Sequence, residues 1–378
     1  MSENQLSEAS CQKPAARNQL PETSLRRATL GLSSSRRQPS CNRPFIVPVF
    51  LPHAGCPHQC VFCNQSSITA THSRPASKDA RRQIETFLSL RRKKRRYIQI
   101  AFFGGNFLGI QTRTIRRLLT VATKFVSAGQ ANSIRFSTRP DTVNPQRLAA
   151  IKAFPITTVE LGVQSMDDRV LERSNRGHTA ADTVKAVQLL REHAYEVGAQ
   201  IMVGLPGDNI RRLQDSAREV LRLKPDFIRI YPTVVLAGSP LATLYEKGDY
   251  TPLSLEDAVS RVKDIYLLFK KEDIPVIRMG LQASADLEDG TTVLAGPYHP
   301  AFGHLVHSEI FLDMALSAIE LANDIQETIS IFVNPRSTSK MRGLNNSNIK
   351  RLKEKFHFQS IAVVPDSSLA AEELKVRP

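Results

Sequence analysis

The chain has no apolar run approaching the roughly 18 residues a membrane-spanning helix needs. Its opening, MSENQLSEAS, lacks the basic head and apolar body of a secretory signal. Both absences point to a cytoplasmic protein without a membrane partner. Cysteine is scarce: there are five in 378 residues. Three of them crowd into one short stretch, which argues against a disulfide framework and for metal or redox chemistry, since cytoplasmic thiols stay reduced. Cys11 and Cys41 stand apart with no partner at ligand spacing and read as solvent thiols. No internal repeat is evident beyond an alternation of strand and helix, which excludes solenoids and propellers. The composition, 41% hydrophobic and 23% charged, excludes a disordered chain and allows a sizeable core.

The chain is strongly basic, with 51 Lys and Arg against 36 Asp and Glu, a net charge of +15. Such an excess suits a polyanionic partner such as RNA. Part of it lies in local runs such as RRKKRR, Arg91 to Arg96, which at a helix end also read as a solvated face favoured by the helix dipole.

Residues 1–43 are rich in Ser, Arg, Gln and Pro without apolar periodicity and are expected to form a disordered leader. From there short β-branched and aromatic runs alternate with helical stripes: FIVPVFL (45–51), YIQIAFFG (97–104), SIRFST (133–138), TTVELGVQ (157–164), AQIMVGL (199–205), FIRIYPTV (227–234) and IPVIRMG (274–280). Their near-continuous hydrophobicity predicts strands buried on both faces of a parallel sheet. Helix stripes fall at Ala80, Ile84, Phe87 and Leu88, and at Ile115, Leu118, Leu119 and Ala122. Thr179 with Asp182 and Ser254 with Asp257 predict capped helix starts. The fold class is α/β, a full or partial (β/α) barrel over residues 44–285, with a small α/β annex over residues 286–378. Ligands then belong at the C-terminal ends of the strands.

The first strand runs into GCPHQCVFCNQ, which spaces Cys56, Cys60 and Cys63 as C-x3-C-x2-C. Three thiolates can hold three corners of a 4Fe-4S cube and leave the fourth iron open. Two other readings compete. A Cys3His zinc site would take His53 or His58 as fourth ligand, although structural zinc sites normally join two separated halves. That reading leads to a zinc-containing nucleic-acid-binding protein without radical chemistry. A redox pair at Cys60 and Cys63 has the spacing but not a thioredoxin-like setting. One β-α unit later AFFGGNF places Gly104, Gly105 and Asn106 at a strand end, where paired glycines admit a close backbone approach. Further strand ends carry Arg139 and Asp141, Glu160, Gln164 and Ser165, and Gly204, Pro206 and Asp208, the polar rim a barrel mouth requires.

The CPHQCVFC loop, with Phe62 before the third cysteine, resembles the signature of the radical S-adenosylmethionine (SAM) superfamily. The resemblance implies a 4Fe-4S cluster on the three cysteines, SAM on the open iron, and a 5'-deoxyadenosyl radical released on reduction by a carrier such as ferredoxin or flavodoxin. It also implies that Phe62 lies beside the adenine and that Gly104, Gly105 and Asn106 line the site of SAM's amino group. Arg139 would meet the carboxylate, Gln164 the ribose, and the turn from Gly204 to Pro206 the adenine. Asn106 stands where an acidic or hydroxyl residue is commoner.

From Arg43 to about Gln282 the chain is similar to the radical SAM domain of the elongator catalytic subunit, which modifies wobble uridine in transfer RNA. STRPD, ELGVQS, RGHT (176–179), GLPGD, RIYPTVVLAGSPLATLYEKGDY (229–250) and PLSLEDAV occur in matching order. The likeness puts Arg229, Tyr231 and Arg278 in the barrel mouth, and Arg176 and His178 on a loop that meets substrate. That subunit spaces its first two cysteines more widely and carries an acetyltransferase domain, for which the stretch after residue 300 is short. A coproporphyrinogen oxidase-like reading shares the cysteine spacing, but Asn64 and Gln65 depart from that family's pattern.

Overall fold

The computed structural model describes residues 26–29, 44–51, 54–57, 59–64, 77–90, 97–282, 285–288, 290–322 and 327–377. Cys11, Cys41, His53, His58 and the Arg91–Arg96 run lie outside the described residues. The chain divides into two compact units, one of residues 31–313 and 339–350, the other of residues 1–30, 314–338 and 351–378.

The larger unit is built on seven parallel strands, hydrogen-bonded in sequence order: β1 (Phe45–Phe50), β2 (Ile98–Phe103), β3 (Ser133–Thr138), β4 (Ile156–Gln164), β5 (Glu196–Val203), β6 (Phe227–Pro232) and β7 (Val276–Met279). Among the described residues the end strands do not pair with each other, so the barrel is partial. Helices return the chain between strands: α1 (Ser77–Ser89), α2 (Thr112–Ser127), α3 (Pro145–Ile151), α4 (Asp168–Arg173), α5 (Ala180–Glu192), α6 (Ile210–Arg222), α7 (Pro240–Glu246) and α8 (Leu255–Lys271). The cap signals act as expected. Thr179 and Asp182 close a reciprocal capping box at the start of α5, and Ser254 accepts from the Asp257 amide at the start of α8.

The sheet curls. The Arg229 guanidinium on β6 lies 5.6 Å from the centre of the Phe103 ring on β2, although four strand spacings, about 19 Å in a flat sheet, separate them. Curling divides the sheet's two faces chemically. The outer face carries Ile98, Ile100, Phe102, Ile134, Phe136, Val159, Leu161, Val197, Ile201, Ile228 and Ile230, all buried. The inner face carries Gln99, Arg135, Thr158, Glu160, Gln200, Arg229, Tyr231 and Arg278, alternating with them along each strand. Both faces are shielded, as the strand hydrophobicity predicts, but the inner one is polar. SIRFST and FIRIYP alternate in chemistry while remaining mostly buried.

In the smaller unit a mixed sheet runs in the order Arg26–Thr29, Glu373–Arg377, Thr328–Val333, Ser360–Pro365. The strand Arg26–Thr29 falls within the stretch expected to be a disordered leader. It pairs antiparallel with Glu373–Arg377, Arg26 opposite Val376 and Thr29 opposite Glu373. An edge strand held by backbone bonds needs no apolar pattern of its own, so RRAT gave no signal. Among the described residues no helix is long and apolar enough to cross a membrane.

Candidate active site

The cysteine loop follows β1 directly and lies at the C-terminal end of the sheet. It is tied to three other segments of the mouth. The Val61 amide donates to the Ser174 carbonyl at 3.1 Å, and the Asn175 side chain donates to the Gln59 carbonyl at 2.9 Å, which fixes the loop to the end of α4. The Leu241 amide donates to the Val61 carbonyl at 2.8 Å, and the Asn64 side chain to the Ala237 carbonyl at 2.6 Å, which fixes it to the segment entering α7. Phe62 packs between two apolar clusters, Val235, Leu241 and Tyr250 on one side and Val170, Met202 and Leu205 on the other. Cys60 is buried, Cys56 and Cys63 partly exposed, and none of the three forms a disulfide among the described residues.

The third tie is backbone against backbone. The Asn106 amide donates to the Ala54 carbonyl at 2.8 Å. A Cβ on Gly105 would come within 2.6 Å of the Leu51 and Ala54 carbonyl oxygens, and one on Gly55 within 2.3 Å of the Asn106 carbonyl oxygen. The space that a side chain at Gly105 would fill is taken by the chain's own loop. Asn106 itself is fully buried and its amide is engaged within the protein. Nδ2 donates to the Gly55 carbonyl, and Oδ1 accepts from the Thr138 hydroxyl, the Thr142 hydroxyl and the Arg139 amide at 2.7, 2.9 and 3.1 Å. Nothing in GGN distinguishes such a latch from a ligand-facing amide. Gly104 lies beside it, half-buried with φ 90°, in the region that favours glycine.

Polar side chains gather on the next strand ends. Arg139 forms a bidentate pair with Asp141, at 2.9 and 3.1 Å, and leaves a buried Nη1 without a partner among the described residues. Gln164 ends β4 with φ 70°, a left-handed conformation rare for a non-glycine and typical of functional sites, and its Oε1 accepts from Gln200 at 3.4 Å. Arg176 lies across the loop, donating to the Cys60 sulfur at 3.2 Å and to the Gly162 carbonyl at 2.6 Å. Its Nε, buried, has no partner among the described residues. A Cβ on Gly162 would meet the Arg176 guanidinium at 2.6 Å, which accounts for the glycine in ELGVQS.

His178 is buried with neither ring nitrogen in hydrogen-bond geometry, although the Val163 backbone lies close. Burial first, then the charges of Arg176 and Arg139, push its pKa down to about 3, so the ring is neutral. Burial raises the Cys56 thiol, with Cys60 adding to the shift and Arg176 and Arg139 opposing it. At the end of β5, Gly204 (φ 83°) accepts the Tyr250 hydroxyl at 2.7 Å, half-buried Pro206 follows, and burial pushes Asp208 up to about 6.

Below the mouth an ionic network fills the lumen. Glu160, buried, lies 2.7 Å from both the Arg135 Nη2 and the Arg229 Nε. These two contacts are not aligned as hydrogen bonds, so charge rather than directed bonding holds them, while Arg229 Nη2 does donate to Glu160 at 3.3 Å. Burial tends to lower the Arg229 pKa, but Glu160 and then Tyr231 outweigh it and the net shift is upward. Arg135 stacks over Phe227, 5.0 Å from the ring centre, and burial lowers its pKa.

Among the described residues no three His, Cys, Asp or Glu side chains stand ready as a metal-holding group, the three cysteines included. The donor chemistry nevertheless suits an iron–sulfur cluster. Three soft sulfurs share one loop whose backbone is fixed on three sides, beside unpartnered cationic nitrogens on Arg139 and Arg176.

Comparison with known proteins agrees. Residues 50–220 match the radical SAM superfamily, and residues 225–311 match the Radical_SAM C-terminal domain. A tRNA uridine(34) acetyltransferase of Methanocaldococcus jannaschii is 35% identical over 125 residues, 32% of this chain and 23% of that protein. Another of that name from Methanocaldococcus infernus is 26% identical over 253 residues, 57% of this chain and 47% of that protein. The matched stretch thus spans less than half of either relative. Among solved structures, the archaeal Elp3 of Methanocaldococcus infernus shares the fold, with a TM-score of 0.55 at 22% identity over 72% of this chain and 63% of that one. The cysteine loop, the partial barrel and the matched stretches lead to one assignment: the chain is a radical SAM enzyme, with the superfamily's domain over residues 50–220, its C-terminal domain over residues 225–311, and sequence similarity to tRNA uridine(34) acetyltransferases.

Proposed function

We propose that this enzyme holds a 4Fe-4S cluster on Cys56, Cys60 and Cys63, cleaves SAM reductively and acts on a nucleotide of transfer RNA in the cytoplasm, with a ferredoxin or flavodoxin as electron carrier. When bound, the cluster and SAM supply a 5'-deoxyadenosyl radical that removes hydrogen from, or adds to, a substrate. The observation that carries the reading is the cysteine loop fixed across the C-terminal end of a partial barrel whose lumen is polar.

The chain's own residues hold and shield. Phe62 presents an aromatic face between two apolar clusters and excludes water from one side of the loop. Gly104 and the turn from Gly204 to Pro206 offer backbone unobstructed by side chains, while Gln164 presents an amide from a strained strand end. Arg139 has one guanidinium nitrogen to give a carboxylate, with Asp141 holding the remainder in place. Asn106 and Gly105 lock the loop against β2 and β3, so their part is to position the cysteines.

Transfer RNA as substrate is supported by the names of the relatives and by one surface. The exposed face of α2 carries Arg113, Arg116, Arg117 and Lys124, none in an ion pair among the described residues. Anaerobic reconstitution followed by dithionite and SAM tests the chemistry. The expected result is brown protein, near-stoichiometric iron and sulfide, and 5'-deoxyadenosine, with iron lost in Cys60→Ala. Zinc without iron, or full cluster loading without 5'-deoxyadenosine, would overturn the reading.

A further inference from the structure

Arg229 on β6 and Arg278 on β7 are register partners in adjacent parallel strands and project to the same, inner face of the sheet. Like charges directly opposite on neighbouring strands are destabilising unless something lies between them. Arg229 has Glu160 on its far side. Arg278 has no acidic partner among the described residues; its Nε donates to the Gly280 carbonyl at 3.1 Å and the rest of its guanidinium is uncommitted. The lumen's charges do not balance: among the described residues the only carboxylate paired with these arginines is Glu160, which is already shared between Arg135 and Arg229, and Glu196 acts on Arg135 alone. Tyr231 completes the corner. Its hydroxyl is 3.5 Å from Arg229 Nη1, and its ring packs against the Val170, Met202 and Leu205 cluster that also receives Phe62. The corner is therefore on the inner face, on the strands farthest along the sheet from β1, near the cysteine loop that carries Phe62. Burial, opposed by Tyr231 and reinforced by Arg229, lowers the Arg278 pKa, the direction expected of a cation short of a counter-charge.

From these positions we infer that Arg229, Arg278 and Tyr231 form an oxyanion-binding subsite that takes a carboxylate or phosphate group of the substrate within the barrel. Two guanidinium forks and a phenol offer the planar, multidentate donors that carboxylates and phosphates accept, and a bound oxyanion removes the repulsion between the two arginines. The inference deepens the functional proposal, since it rests on the lumen being the substrate's place, yet it can be tested without cluster, SAM or reductant.

The experiment is thermal melting of the full chain in chloride, acetate and inorganic phosphate at matched ionic strength. Wild type is expected to melt about 2 °C higher in one of the oxyanions than in chloride. The better of the two identifies the group as carboxylate-like or phosphate-like. Arg278→Gln should melt in chloride at or above the wild-type temperature, because a repelled cation is gone, and should lose the oxyanion increment. Arg278→Lys should keep part of it. Arg218→Gln, which removes the same charge from the exposed surface of α6, should keep all of it. No increment in wild type, an equal increment in Arg278→Gln, or a lower melting temperature of Arg278→Gln in chloride would each overturn the subsite. Should SAM cleavage fail while the oxyanion increment stands, only the radical chemistry falls.

Discussion

The two faces of the seven-stranded sheet differ in what they ask of the fold. Outward, Ile100, Phe102, Ile134 and Phe136 pack without exposure against one another and the helices, and Phe107 stacks between Phe102 and Phe136 with ring centres 5.0 and 4.7 Å away. Inward, at the same depth, Arg135, Glu160 and Arg229 have been taken out of water and rely chiefly on each other's charge, with Gln99, Tyr231 and two aromatic rings as lesser partners. Buried ion pairs rarely repay their desolvation, so the inner face costs stability that the outer face supplies. The difference locates function, because a sheet selected for stability alone would be apolar on both sides. The largest effect should come from the outer face. Phe136→Ala should lower unfolding free energy in urea by about 4 kcal/mol. A loss below about 1 kcal/mol would show that the helix-facing side is not what carries the fold.

Removing Glu160 attacks the other face. Glu160→Gln removes the carboxylate paired with both buried arginines, Arg135 and Arg229, and should cost about 3 kcal/mol. Replacing all three with apolar residues of similar volume should recover most of that loss while abolishing turnover. If Glu160→Gln unfolds no more easily than wild type, water already compensates the arginines and the contrast between the faces disappears.

Much of this was legible before any coordinates. The seven strands stand where β-branched and aromatic runs placed them, because each run is bounded by turn residues and joined to the next by a helix with a clear apolar stripe. The capping box at Thr179 and Asp182 was readable because its chemistry is local. The cysteine spacing is local too, and the loop that carries it lies at the C-terminal end of the sheet, where the strand alternation places ligands. What could not be read depended on distant pairing. Asn106 looks like a mouth residue in GGN, yet its hydrogen bonds go to Gly55, Thr138, Thr142 and the Arg139 backbone, which only the curl of the sheet brings together. The strand Arg26–Thr29 has no pattern because its partner supplies the order. The polar inner face was visible in SIRFST as alternation, but exposed strands alternate in the same way, and only burial distinguishes a lumen from a surface.

His178 tests the mouth, where the two kinds of burial meet. Its folded pKa, about 3, lies below the unfolded value near 6.5, so between those values the unfolded chain binds the extra proton. Stability should therefore be full above pH 6.5 and fall as pH drops through that window, by up to about 1.4 kcal/mol per pH unit for one proton. His178→Phe cannot take up that proton and should show a shallower decline on a denaturant curve repeated at each pH. An identical decline in both proteins would mean that water reaches the ring.

The smallest effect on stability is expected where charge stays in water. On α6, Arg211 and Arg218 share Asp215, and Arg222 pairs with Glu219, whereas Arg113, Arg116, Arg117 and Lys124 on α2 line one exposed face with no such partners among the described residues. Arg116→Gln and Arg117→Gln should each change unfolding free energy by less than about 0.5 kcal/mol. If α2 meets a phosphate backbone, each should reduce the slope of log affinity for transfer RNA against log salt by about 1. Arg218→Gln removes a cation that a carboxylate has already neutralised and should reduce it by less. Equal slopes for the α2 and α6 variants would show that the basic excess acts as diffuse net charge and that the unpaired face of α2 has no contact of its own.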